Sequence, residues 1–88
     1  MRPPSLVYRP QPVYPILARL TRTSGTVRLQ CVIGTDGRIA NLTFVSGHPL
    51  LVKAAMDAVR QWRYRPTLLN GEPVEVVMNV DVNFRLGQ

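Results

Sequence analysis

Few side chains in these 88 residues could do acid–base, nucleophilic or metal chemistry. There is one histidine, His48, one cysteine, Cys31, and five carboxylates, Asp36, Asp57, Glu72, Glu75 and Asp81. His48 has no second histidine or nearby cysteine at a ligand spacing, so no metal site is expected. Cys31 has no partner cysteine, which excludes an internal disulfide and leaves the redox compartment open; on an inward strand position it reads as a small hydrophobe. Neither a Gly-x-Ser-x-Gly elbow nor a glycine-rich phosphate loop is present. An enzyme is therefore not expected, nor any cofactor, and the chemistry that remains is non-covalent.

The main chain of one stretch offers such chemistry. Val74 to Leu86, VEVVMNVDVNFRL, sets Val76, Met78, Val80, Val82 and Phe84 against Glu75, Asn79, Asp81, Asn83 and Arg85. This is the period-two alternation of a half-buried strand. The sequence runs only two residues further, so at a sheet edge this last strand would keep its outward N–H and C=O groups free for another chain. It carries no proline and no inward charge to block such an addition. The free edge is the expected working surface.

Charge suggests a rival. Ten arginines and one lysine against five acids give a net charge of +6, which raises nucleic acid or an anionic surface as partners. The basic residues are spread through every segment, however, and only Arg60, Arg63 and Arg65 cluster. Nucleic acid is not the expected partner; a steep salt dependence of binding would mark it. A third reading is an assembly module that pairs with itself through the same edge, including a strand-exchanged homodimer.

The elements that must position this edge follow from the pattern. Residues 1–13 hold four prolines, read as polyproline II and as the end of a stiff linker. Residues 14–88 form one domain. Tyr14-Pro15 opens a short helix of about two turns, with Leu17 and Leu20 on one face and Gly25 just past the end. Thr26–Gly34 is the first strand, with Val27, Leu29, Cys31 and Ile33 alternating inward. Asp36-Gly37 makes a hairpin turn into a second strand, Arg38–Val45, in which Ile39 falls out of step with Leu42 and Phe44 and predicts a bulge near Ala40 or Asn41. Pro49 then starts a helix whose stripe is Leu51, Ala55, Ala58 and Trp62. Asn70-Gly71-Glu72-Pro73 turns the chain into the last strand. The fold class is α+β: a three-stranded antiparallel sheet of order 2-1-3, one amphipathic helix packed on it, and a short N-terminal helix. Trp62 reads as a core anchor. Tyr14 and Tyr64 would grip a peptide if exposed beside the edge, while Arg19 taken by itself reads as a solvated helix residue.

No apolar run approaches the ~18 residues of a membrane span. The opening MRPPSLVYRPQP carries charge without an apolar core, so the chain reads as cytoplasmic or as a piece of a longer protein.

Taken in order, Tyr14-Pro15, Gly25-x-Val27, Asp36-Gly37-Arg38-Ile39, Ser46-Gly47-x-Pro49-Leu50, Ala58-Val59-x-x-Trp62-x-Tyr64-x-Pro66, Gly71-x-Pro73 and Val82-x-Phe84 resemble the C-terminal domain of TonB, the energy transducer of Gram-negative envelopes. The likeness covers residues 14–86, and its most telling part is Trp-x-Tyr-x-Pro after the amphipathic helix. It implies a periplasmic domain at the end of a proline-rich stalk anchored in the inner membrane, where partner proteins harness the proton-motive force. The implied partner is the TonB box, a short segment of outer-membrane receptors, added as a strand to the last strand so that force can loosen the receptor's plug and admit a siderophore or vitamin. The residues implied in that contact are Tyr14, Pro15 and Arg19, with Val74, Val76, Met78, Val80, Val82 and Phe84.

Overall fold

Alternation at the middle of the sheet organises the domain. In the computed structural model, residues 4–87 are described. Their elements are β1 (Leu6–Tyr8), α1 (Ile16–Leu20), β2 (Gly25–Ile33), β3 (Ile39–Ser46), α2 (Pro49–Val59), β4 (Arg63–Tyr64), β5 (Thr67–Leu69), β6 (Glu72–Val74) and β7 (Val76–Phe84). Strands β3, β2 and β7 form the antiparallel sheet, in that order. The predicted architecture is thus present, with β2 central and β7 at an edge. Val27, Leu29, Cys31 and Ile33 of β2 are buried on one face, against Val80, Val82 and Phe84 of β7. The opposite face is polar, and there Arg28 holds Asp81 through two bonds of 2.9 and 3.1 Å.

Helix α2 closes the core. His48 caps it by accepting the Leu50 N–H at 3.1 Å on Nδ1, and Pro49 occupies the first turn, where its missing N–H costs nothing. Leu51, Ala55 and Ala58 are buried as the stripe predicts, together with Val59. The helix ends at Val59, before the fourth residue of the stripe. Tightened turns, with Gln61 N–H on Ala58 O and Trp62 N–H on Val59 O, still carry Trp62 into the core, where it is 3% exposed.

Several local expectations are corrected. Helix α1 is a single turn, and Leu17 and Leu20 are exposed while Ala18 is buried. Its end is not at Gly25: Arg22 takes the left-handed φ of 53°, with Thr23 N–H on Ala18 O and Arg22 N–H on Arg19 O, the paired bonds of a Schellman motif. Gly25 instead begins β2. Phe44 is about half exposed. In β3 the bulge falls at Ala40, since Val32 faces Asn41 and Ile33 faces Ile39; a second, unforeseen, falls at Val45.

The proline-rich segment is also more ordered than its composition suggests. Leu6–Tyr8 lie between Pro4 and Pro10, so their N–H groups remain available, and β1 pairs antiparallel with β4. Pro3 lies outside the described residues. Asn70 and Gly71, with φ of 52° and 82°, form the two-residue turn of a hairpin, β5–β6, which is the backbone that Asn-Gly favours. The last strand accordingly starts at Val76, and Val74 belongs to β6, opposite Thr67.

Two solution predictions arise here. Arg28 lowers the pKa of Asp81, and Lys53 chiefly lowers that of Asp57, each from an ordinary value of 3.8. A carboxylate whose pKa is depressed by folding contributes stability above its unfolded value and loses it as pH falls through the folded one. Melting temperature should therefore hold from neutral pH down to about 4 and fall below it, with a shallower fall in Asp81→Asn; an identical acid limb in that variant would refute the assignment. Burial raises the pKa of the Cys31 thiol, and its side chain is fully enclosed. It should resist a thiol reagent at pH 8 until denaturant is added, because the thiolate is the reacting species.

Candidate functional site

A three-stranded sheet has two edges, and they differ. The β3 edge is broken by bulges at Ala40 and Val45, and Arg60 lies beside Ile39–Leu42 along it. Bulges twist a ladder away from a would-be partner. Strand β7 pairs with β2 through nine residues, from Gly25 opposite Phe84 to Ile33 opposite Val76, without a register shift. At ~3.4 Å per residue such a strand spans about 30 Å, more than half of the molecule's 49 Å length. Its other side has no paired strand among the described residues. Every second residue there turns N–H and C=O outward.

At the Phe84 end this edge runs into an open cleft of about 310 Å³, lined by Gln11, Pro12, Tyr14, Arg19, Asn83, Phe84, Arg85 and Gly87. The Tyr14 ring meets Phe84 edge-on at 5.5 Å, and the Arg19 guanidinium stands 5.1 Å over the same ring. The Tyr14 hydroxyl donates to the Thr23 carbonyl, which ties the chain entering α1 to the chain leaving it. Among the described residues two arginines and no acid line the cleft, so it favours an anionic group. A main-chain edge with an aromatic and cationic stop at one end can hold an extended peptide and fix its register.

A family profile described as Gram-negative bacterial TonB protein C-terminal matches residues 10–86. The chain belongs to the TonB C-terminal family. It is similar to Protein TonB of Klebsiella pneumoniae, 36% identical over 85 residues covering 94% of this chain and 33% of that protein. Protein TonB of Vibrio cholerae is 32% identical over 86% of this chain and 32% of its own length. The chain thus spans about a third of these curated relatives. The solution structure of the Pseudomonas aeruginosa TonB C-terminal domain superposes with a TM-score of 0.79, covering 97% of this chain and 88% of that one at 23% identity, and so shares the fold.

Within this TonB-type fold, the residues expected at the site part company. Tyr14, Arg19 and Phe84 come together at the cleft. Pro15 turns away into a groove against α2, beside Leu50, Ala54 and Ala58, and Val74 lies in β6. Val80, Val82 and Phe84 are buried and Val76 and Met78 half-buried, so what these positions offer at the edge is backbone. The outward side chains are Val77, Asn79, Asp81 and Asn83, and Val77 is 60% exposed. Tyr64 is buried, and burial raises its pKa; it is a core residue and not a grip. The sequence did not point to Gln11, Pro12, Asn83 and Arg85, which line the cleft, or to Val77, which is exposed on β7, as members of the candidate site. The Val76-Val77 pair, which breaks the alternation, was the signal for the last of them.

Proposed function

We propose that this domain is the periplasmic, non-enzymatic receptor-binding end of a TonB-like transducer. It takes the TonB box of an outer-membrane receptor as an added strand on the free edge of β7. The observation that carries this reading is the contrast between the two sheet edges: β3 is bulged twice, and β7 is regular over nine residues. Each main-chain bond gained is worth roughly 0.5–1.5 kcal/mol net, and such bonds tolerate varied partner sequences. The cleft beside Arg19 and Arg85 receives an acidic group of the peptide. The remainder of the transducer anchors the domain at the inner membrane and delivers force for siderophore or vitamin uptake. Load along the strand is shared among parallel bonds.

Two synthetic TonB-box peptides, N-methylated on alternate residues in opposite phase, test the addition. One phase removes the donors aimed at β7 and should bind at least about fivefold weaker, since two or three lost bonds amount to roughly 1–4.5 kcal/mol; the other should bind like the unmodified peptide. Amide shifts in an NMR titration should concentrate in Val76–Arg85 and Tyr14–Arg22. Equal binding by the two phases would defeat strand addition. Self-pairing through the same edge would appear as a doubled rotational correlation time without peptide.

A further inference from the structure

The segment before α1 is fastened at several points to one short stretch of the chain, residues 62–65. The Arg65 N–H donates to Ser5 O at 2.9 Å, Leu6 faces Tyr64 and Tyr8 faces Arg63. Trp62 Nε1 donates to Pro10 O at 3.2 Å, and the Arg9 guanidinium lies 5.0 Å from the centre of the Trp62 ring. Immediately beyond this fastening, Gln11 and Pro12 form a wall of the cleft at the end of β7. Tyr14 then pins the far end, through Thr23 and Phe84.

We infer that residues 5–14 act as a strap that sets the grip of the cleft, with Gln11 and Pro12 as its wall and Trp62 as the residue that positions them. Pro12 has its φ fixed near −65° and restricts Gln11 before it, so the wall that directly follows the anchored Pro10 carbonyl has little freedom, and the place of that carbonyl is passed on stiffly. The wall is thereby pre-formed, which spares a bound peptide the cost of ordering it. The fastening is light by comparison with β2–β7: two paired positions and two further hydrogen bonds, with Leu6 and Tyr8 on the strap side both exposed. Releasing it leaves the three-stranded sheet intact and removes one side of the cleft. Trp62 thus acts on binding from inside the core, without touching the peptide.

This inference rests on the proposed peptide site, and the test separates the two. The full 88-residue chain is compared with Val7→Pro, which removes the β1 donor that the non-hydrogen-bonded Leu6–Tyr64 pair aims at β4 at an exposed position, and with Trp62→Phe, which removes the indole donor. Protection of the Arg65 amide from exchange reports the strap, and titration with a synthetic TonB-box peptide reports the grip. Loss of protection in Val7→Pro should come with shifts at Gln11, Val13 and Asn83–Arg85 before any peptide is added. The Kd should rise about fivefold to tenfold, with a smaller rise in Trp62→Phe and no further rise in the double variant. A Val7→Pro chain that loses Arg65 protection yet keeps the wild-type Kd overturns the strap and leaves the peptide site standing. A wild-type chain that fails to bind the peptide overturns both.

Discussion

Replacing Gly37 by alanine lowers the melting temperature by more than about 12 °C, a loss of at least ~3 kcal/mol in a domain where 1 kcal/mol moves the midpoint by about 4–8 °C. Two independent features produce this. Gly37 has φ of 83°, where a Cβ costs of order 1 kcal/mol. That Cβ would also stand 1.9 Å from the carbonyl oxygen of Tyr64. The neighbour cannot give way, because Tyr64 N–H donates to Gly37 O at 2.9 Å, Arg38 pairs with Arg63, and the Tyr64 ring is buried. The hairpin turn is thus clamped face to face against β4. Gly71 is the internal control: its φ is 82°, and a Cβ there meets nothing within 4 Å. Gly71→Ala should cost only the conformational term, about 1 kcal/mol. Thermal melts of the two variants decide the point, and equal shifts would mean that the approach of Tyr64 is not what requires glycine.

These two glycines also mark where the sequence is legible. Asp36-Gly37 and Asn70-Gly71 announce turns by composition, but only the fold puts Tyr64 against the first. The sheet is readable because Val27, Leu29, Cys31 and Ile33 alternate over nine residues, long enough to outweigh local noise. Hairpin β5–β6 is not: its arms are three residues each, one carries Pro73, and Leu68 and Leu69 point to solvent. Helix α1 misleads for the opposite reason. Leu17 and Leu20 have helical spacing, yet one turn is too short to dock by a stripe. Ala18 and the Tyr14–Thr23 bond fasten it instead. At the site, the strand edge is legible from Val76–Phe84, since an edge is made of backbone and period. The cleft is not, because its walls come from segments about seventy residues apart, Gln11–Arg19 and Asn83–Gly87, and no spacing within either reports the other. Trp62 shows both sides: periodicity places it in the core, whereas its bond to Pro10, fifty-two positions away, leaves no local trace.

Trp62→Ala should cost roughly 3–5 kcal/mol, the range for deleting a buried large aromatic. Its ring lies in the core that joins Leu51, Ala55 and Val59 of α2 to Leu29 and Cys31 of β2, so truncation opens a cavity where helix, sheet and strap meet. It also frees the Pro10 carbonyl and removes the face on which Arg9 rests. Trp62→Phe keeps most of the packing and loses one hydrogen bond at a half-buried site, about 1 kcal/mol; the gap between the two variants in urea unfolding measures the packing share. Leu29→Ala is the matching test of the core alone. Leu29 is fully enclosed at the middle of β2, away from the strap, and its loss should cost about 2–5 kcal/mol. If Trp62 acts only as filler, Leu29→Ala and Trp62→Ala of equal stability should bind peptide equally well below their melting points. Because Trp62 also holds Pro10 beside the cleft, Trp62→Ala should bind more weakly than Leu29→Ala at matched stability, and the difference isolates what the indole does for the wall of the site from what it does for the core.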